Sequence, residues 1–168
     1  LDIEAVARQV KAARLHVGAS AALAVDSTFA TPILQNPTAQ GADLVLHSAT
    51  KFLGGHGDVM GGIIACSEEW AARLRQVRMV TGGLLHPLGG YLLHRGLQTL
   101  PVRVRQQQAN AIKLAERLAA HVAVTSVHFP GYTEGDAELV GRQMRGPGSV
   151  LSFCVRGGTS TAAAIVEQ

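Results

Sequence analysis

A chain of 168 residues, 47% hydrophobic and 16% charged, is long enough for one buried core and too apolar for a disordered tail. Its net charge of +3 comes from fifteen Lys and Arg with no run of five or six, and four Phe, two Tyr and one Trp offer little for base stacking, so a nucleic-acid partner is not expected. No apolar run reaches about 18 residues and no signal peptide is visible, so no membrane span is expected either.

Ile3, Val6, Ala7, Val10, Ala13 and Val17 recur at helical spacing, with Asp2 placed to cap the start and Gly18 to end it, which predicts an amphipathic helix. "AALAV" (21–25) then reads as a buried strand ending at Asp26. After a loop with Pro32 and Pro37, residues 43–47 read as a second strand, and "GGIIACS" (61–67) follows a glycine-rich turn as a third. Helix, strand, connection, strand is the order of an α/β sheet. "SEEWAARLRQVRMV" opens with Ser-x-x-Trp and two early glutamates, a favourable helix start. "HPLGGYLLHRGLQTL" is expected as a shorter helix broken around Gly89 and Gly90 or around Gly96. From Pro101, positions Val104, Gln108, Ala111, Ile112, Ala115, Leu118, Ala119 and Val122 repeat at helical spacing with one polar interruption, predicting the longest helix of the chain. "VTSVHF" and "SVLSFCV" read as strands, with "PGYTEGD" between them as a surface loop. This change of order near residue 121 predicts a domain boundary, with residues 1–120 in a larger domain and its connecting helix and residues 121–168 starting a smaller one. The two cysteines, Cys66 and Cys154, lie in separate apolar runs and are expected as reduced, buried thiols. The chain opens on Leu1 and closes on "TAAAIVEQ" in a helical pattern, so a piece of a longer protein is expected.

The second predicted strand runs into Ser48, Thr50 and Lys51 where a covered strand would surface, and such edges are where open α/β sheets bind ligands. A lysine after a strand ordinarily points into water. Here two hydroxyls stand beside it, and Asp26 ends the neighbouring strand. An amine, hydroxyls and an acid are what an aldehyde cofactor with a phosphate arm and a pyridine ring requires. Other groupings carry less. His47, His56 and Asp58 lack further spaced ligands to complete a metal shell, so no metal site is expected. Gly54, Gly55 and Gly57 are not followed by the Gly-Lys-Ser/Thr order of a phosphate cradle and read as backbone hinges. Cys66 has no partner base in sequence and reads as packing. His86, His94 and Arg95 are expected on helix surfaces or at a subunit contact.

The stretch "AVDSTFATPILQNPTAQGADLVLHSATKFLGGHGDVMGG" (24–62) resembles the core signature of the pyridoxal-phosphate enzymes of cysteine and methionine metabolism, which include cystathionine γ-synthase, cystathionine β- and γ-lyase and methionine γ-lyase. The resemblance continues through "GGLLHPLGGYLLHRGLQTLPVRV" and "HFPGY" to "GSVLSFCVRGG", with one departure at Ser27, where the family usually reads Asn. It implies the aspartate-aminotransferase-like fold (fold type I): an α/β large domain with a mostly parallel sheet and helices, and the start of a smaller α+β C-terminal domain. Residue by residue it implies that Lys51 forms the internal Schiff base with pyridoxal 5'-phosphate and moves the proton at the substrate Cα. Asp26 pairs with the pyridine nitrogen, and Ser48 and Thr50 hold the phosphate. The implied reaction is γ-elimination or γ-replacement on cystathionine, methionine or an activated homoserine, in a cytoplasmic homotetramer. The implied phosphate cup, ring-stacking aromatic and carboxylate-binding arginine match no position of this chain. A different reading is therefore kept beside the first: an inactive remnant that serves as a packing or oligomerisation module.

Overall fold

The computed structural model describes residues 1–17 and 21–167, in two compact units, Leu1–Pro101 and Val102–Gln168. The first unit opens with α1 (Ile3–Val17), where the Asp2 carboxylate accepts from the Ala5 amide at 3.0 Å, as its place ahead of the apolar stripe predicts. The predicted stop at Gly18 lies outside the described residues. Arg14 pairs with Asp43, which also accepts from the Leu23 amide at 2.7 Å, so α1 is tied to the strands it precedes.

Strands β1 (Ala24–Asp26), β2 (Leu44–Ser48) and β3 (Gly62–Cys66) form a sheet in the order β1-β2-β3. β1 and β2 are parallel, with Asp26 opposite Leu46. β2 and β3 are antiparallel, with Ser48 opposite Gly62. The expected mostly parallel sheet is thus represented here by one parallel pair, and the sheet is mixed. The connection explains the difference: the turn after β2 returns the chain directly alongside it, without the crossover helix that a parallel neighbour requires.

Between β1 and β2 lie one α-helical turn, α2 (Thr31–Leu34), and a 3₁₀ turn at Pro37–Gln40. After β3, α3 (Glu68–Thr81) starts as predicted, with the Ser67 hydroxyl accepting from the Trp70 amide at 3.4 Å. α4 (Pro87–Gln98) runs unbroken through Gly89, Gly90 and Gly96, which corrects the expected break. His86 caps it, Nδ1 accepting from the Leu88 amide at 3.2 Å. Gly96 serves packing: a Cβ there would lie 2.3 Å from the Gly54 carbonyl oxygen, so the helix crosses that backbone closer than any other residue would permit. Ala49, Leu53 and Leu93 form the core at this crossing, with Ile63 and Leu97 against it.

In the second unit, α5 (Leu100–Ala119) has Pro101 in its first turn and packs Ala111 and Ala115 with Phe129, Val127 and Leu151. The latter flank or belong to an antiparallel pair, β4 (Val124–His128) and β5 (Ser152–Val155). α6 (Glu134–Gln143) occupies part of what the sequence presents as a loop. Thr133 caps it by accepting from the Asp136 amide at 3.3 Å, and Gly135 in the first turn disguises that start. α7 (Gly158–Val166) follows β5. Both cysteines are free, but Cys66 is only half-buried and Cys154 is exposed, because β5 leaves Ser152, Phe153 and Cys154 uncovered. Gln108, the polar interruption of α5, has a purpose: its Oε1 accepts from the amide of buried Gly148 at 3.1 Å. Gln108→Leu leaves that amide without its acceptor and is expected to cost about 1–3 kcal/mol, read as a lowered urea midpoint at unchanged slope.

Candidate active site

β1 and β2 run in the same direction, so Asp26 and Ser48 reach the same edge of the sheet. The Thr28 hydroxyl favours the charged form of Asp26, and the Thr28 amide donates to its carboxylate at 2.9 Å. Together they hold its carboxyl below the usual carboxylate range; burial opposes them and His47 adds to them. Exposed Asp26 is therefore an anion throughout the neutral range.

His47, the penultimate residue of β2, is 6% exposed, and its Nδ1 is buried without a hydrogen-bond partner. Burial pushes its pKa down, while the Asp26 charge and a hydrogen bond to the Ser27 backbone pull the other way. The net shift is downward, so the ring is neutral at pH 7. Asp26, His47 and Ser48 line a cleft of about 660 Å³ whose further walls include Cys66, Arg75 and Arg78 from β3 and α3.

After Ser48 the chain enters a π turn, Ala49–Leu53, closed by the Gly54 amide donating to the Ala49 carbonyl at 2.8 Å. Lys51 alone departs from helical dihedrals inside it, at φ −87° and ψ −117°, and is exposed. Gly55, at φ +76°, donates to the Lys51 carbonyl at 2.8 Å, so the left-handed glycine turns the chain where the sequence suggests a hinge. The Thr50 hydroxyl oxygen accepts from the Gly61 amide at 3.1 Å, which leaves its proton free to donate. Phe52, beside Lys51, meets exposed Phe29 edge-on with centroids 6.2 Å apart.

The cleft thus joins two of the four sequence-predicted residues, Asp26 and Ser48, while Thr50 and Lys51 occupy the turn beyond and are not among its walls. Among the described residues no three His, Cys, Asp or Glu gather as a metal site. His56 contacts the Gly54 carbonyl at 2.8 Å instead. Sequence reasoning passed over Thr28, although an aspartate whose carboxylate meets the amide two residues on is the ordinary signal of an Asx turn.

The Cys/Met metabolism PLP-dependent enzyme family matches the chain over residues 1–168. An L-methionine gamma-lyase of Brevibacterium sandarakinum is 60% identical over 145 residues, which is 86% of this chain and 37% of that protein. The chloroplastic cystathionine gamma-synthase 1 of Arabidopsis thaliana is 45% identical over 145 residues, 86% of this chain and 26% of that one. Among solved structures, cystathionine gamma synthase from Xanthomonas oryzae pv. oryzae in complex with aminoacrylate and cysteine superposes with a TM-score of 0.91 at 38% identity, covering 99% of this chain and 42% of that one. The cystathionine gamma-lyase of Micromonospora echinospora gives 0.88 at 39% identity, over 96% and 42% of the two chains. The chain therefore spans less than half the length of these relatives.

Proposed function

The chain belongs to the Cys/Met metabolism PLP-dependent enzyme family, and on that premise we propose that the protein carrying it cleaves or exchanges the γ-substituent of a sulfur amino acid or an activated homoserine, with Lys51 as its catalytic amine. Pyridoxal 5'-phosphate is the cofactor of this family. The residues present fit it. Asp26, held ionised by Thr28 at the cleft, is the observation that carries the reading, because a permanent anion suits a protonated ring nitrogen. Ser48 and Thr50 would donate to the phosphate oxygens, and exposed Lys51 would hold the cofactor's aldehyde end. Bound there, the cofactor would supply an electron sink for the carbanion at the substrate Cα. Lys51 would take the proton from that Cα and return one further along the substrate. Asp26 would keep the ring nitrogen protonated throughout.

The 60% identity to a methionine gamma-lyase, against 45% to a cystathionine gamma-synthase, favours elimination from methionine over replacement on homoserine. The proposal extends to the domains: residues 1–120 would belong to the cofactor-binding domain with its connecting helix, and residues 121–168 to a smaller C-terminal one. The compact units divide earlier, at Pro101, because α5 packs within the second. A homotetramer is part of the same reading, supported by the apolar residues left open where α3 ends and α4 begins, among them Met79 at 76%, Val80 at 88% and Leu84 at 67% exposure. No helix among the described residues is long and apolar enough to cross a membrane, and the two free cysteines suit the cytoplasm. The deciding experiment is borohydride reduction of the cofactor-loaded protein followed by peptide mapping. The cofactor mass is expected on the peptide that contains Lys51. A label elsewhere, or none on folded protein, removes Lys51 from this role.

A further inference from the structure

In a parallel pair, a residue that donates to one carbonyl of its neighbour accepts from the amide two residues further on. Ser27 donates to the Leu46 carbonyl at 2.9 Å, so a continued ladder would bring the Ser48 amide to the Ser27 carbonyl. That carbonyl instead accepts from the Thr31 amide at 2.9 Å. The chain has left the ladder at Thr28, and the Ser48 amide donates instead to the Thr28 hydroxyl oxygen at 2.8 Å. Thr28 is 6% exposed, so no bulk water competes for this bond. A hydroxyl has one proton to give. With its oxygen accepting from Ser48, that proton is left to favour the nearby Asp26 anion. The Thr28 amide donates to the Asp26 carboxylate at 2.9 Å.

We propose that Thr28 is the positioning residue of the site: its buried hydroxyl accepts from the Ser48 amide while its amide donates to the Asp26 carboxylate, so that one residue fixes the acid for the ring nitrogen and the end of the strand that presents the phosphate hydroxyls in one relation. This rests on the cofactor reading above.

The test compares Thr28→Val, which keeps the shape and the amide but loses the hydroxyl, with Thr28→Ser, which restores it. Three quantities are read: the dissociation constant of pyridoxal 5'-phosphate from titration of the apoprotein, the pH titration of the bound cofactor's absorption, and the Asp26 carboxyl pKa in the apoprotein by NMR. Thr28→Val is expected to weaken cofactor binding about tenfold or more, raise the Asp26 pKa and displace the absorption titration, while Thr28→Ser stays within about threefold with unchanged titrations. Weaker binding with neither titration moved makes Thr28 a packing residue and overturns the proposal; so does a valine variant that behaves as the unsubstituted protein. Should Thr28→Val not fold, Thr28→Ala takes its place against Thr28→Ser. Failure of the unsubstituted protein to bind the cofactor would instead overturn the cofactor reading, and the Asp26 titration in the apoprotein would then decide Thr28 by itself.

Discussion

Asp26→Asn is expected to lower turnover of the cofactor-loaded protein by about 10²–10³-fold, the scale of losing one group placed opposite developing charge, while cofactor attachment at Lys51 persists. The fold should be retained. Asp26 is exposed, and asparagine can accept from the Thr28 amide in the same turn. What it lacks is the charge that, on the proposed reading, would keep a ring nitrogen protonated. Steady-state turnover beside reductive trapping separates the two effects, and near-normal turnover would take Asp26 out of the chemistry. The acid limb of stability offers a second reading. The bonds that depress the Asp26 pKa add stability that is complete above the unfolded carboxyl's pKa and is lost as pH falls through the folded one. The asparagine variant has no such limb.

Two glycines of α4 should respond to the same substitution with opposite signs. A Cβ on Gly96 would meet the Gly54 carbonyl oxygen at 2.3 Å and that of Leu53 at 2.9 Å. Both belong to backbone, which cannot swing aside as a side chain can. Alanine regains about 1 kcal/mol of helix propensity there, but forcing the helix off the turn costs about 1–3 kcal/mol or more, so Gly96→Ala is expected to destabilise. Because Gly54 closes the turn that holds Lys51, the same variant should also lower the rate of cofactor attachment. Gly90 has nothing within 4 Å of its added Cβ. Gly90→Ala is therefore expected to raise stability by about 0.5–1 kcal/mol and leave cofactor attachment alone. Thermal unfolding of the pair, each against the unsubstituted protein, checks both signs at once.

The contrast between these glycines also shows where the sequence stops being legible. Apolar runs marked β1, β2 and β3, and the Ser67 cap and Pro101 marked two helix starts, because each of those signals acts over a few neighbouring residues. Glycine in a helix reads as a breaker on the same local grounds. At Gly96 the reason for glycine is the backbone of residues 53 and 54, far away in the chain, so a locally correct inference predicted a break that does not exist. Gly135 hid the start of α6 in the same way. In the site, Lys51, Asp26, Ser48 and Thr50 stood out by chemistry and order. The single non-helical residue of the π turn did not, since no local signal in the sequence marks Lys51's dihedrals. Nor did Thr28, whose partners lie on two strands.

Thr31 carries a consequence for how this chain can drift. It holds φ +59°, a left-handed backbone in which a β-branched residue is strained, with its side chain fully buried. Its amide donates to Ser27 at 2.9 Å and its hydroxyl accepts from the Ile33 amide at 3.2 Å. Glycine would relax the backbone and abandon Ile33; serine would keep the hydroxyl and the strain, and leave a methyl-sized gap; asparagine tolerates the dihedral but is larger than a space with no exposure admits. Surface loops ordinarily absorb substitutions freely. The loop that presents Asp26 is wound around a position with almost no acceptable alternative, so neutral variation should be scarcer there than along the exposed helices, although the bonds of Thr31 run to Ser27, Ile33 and Gln35.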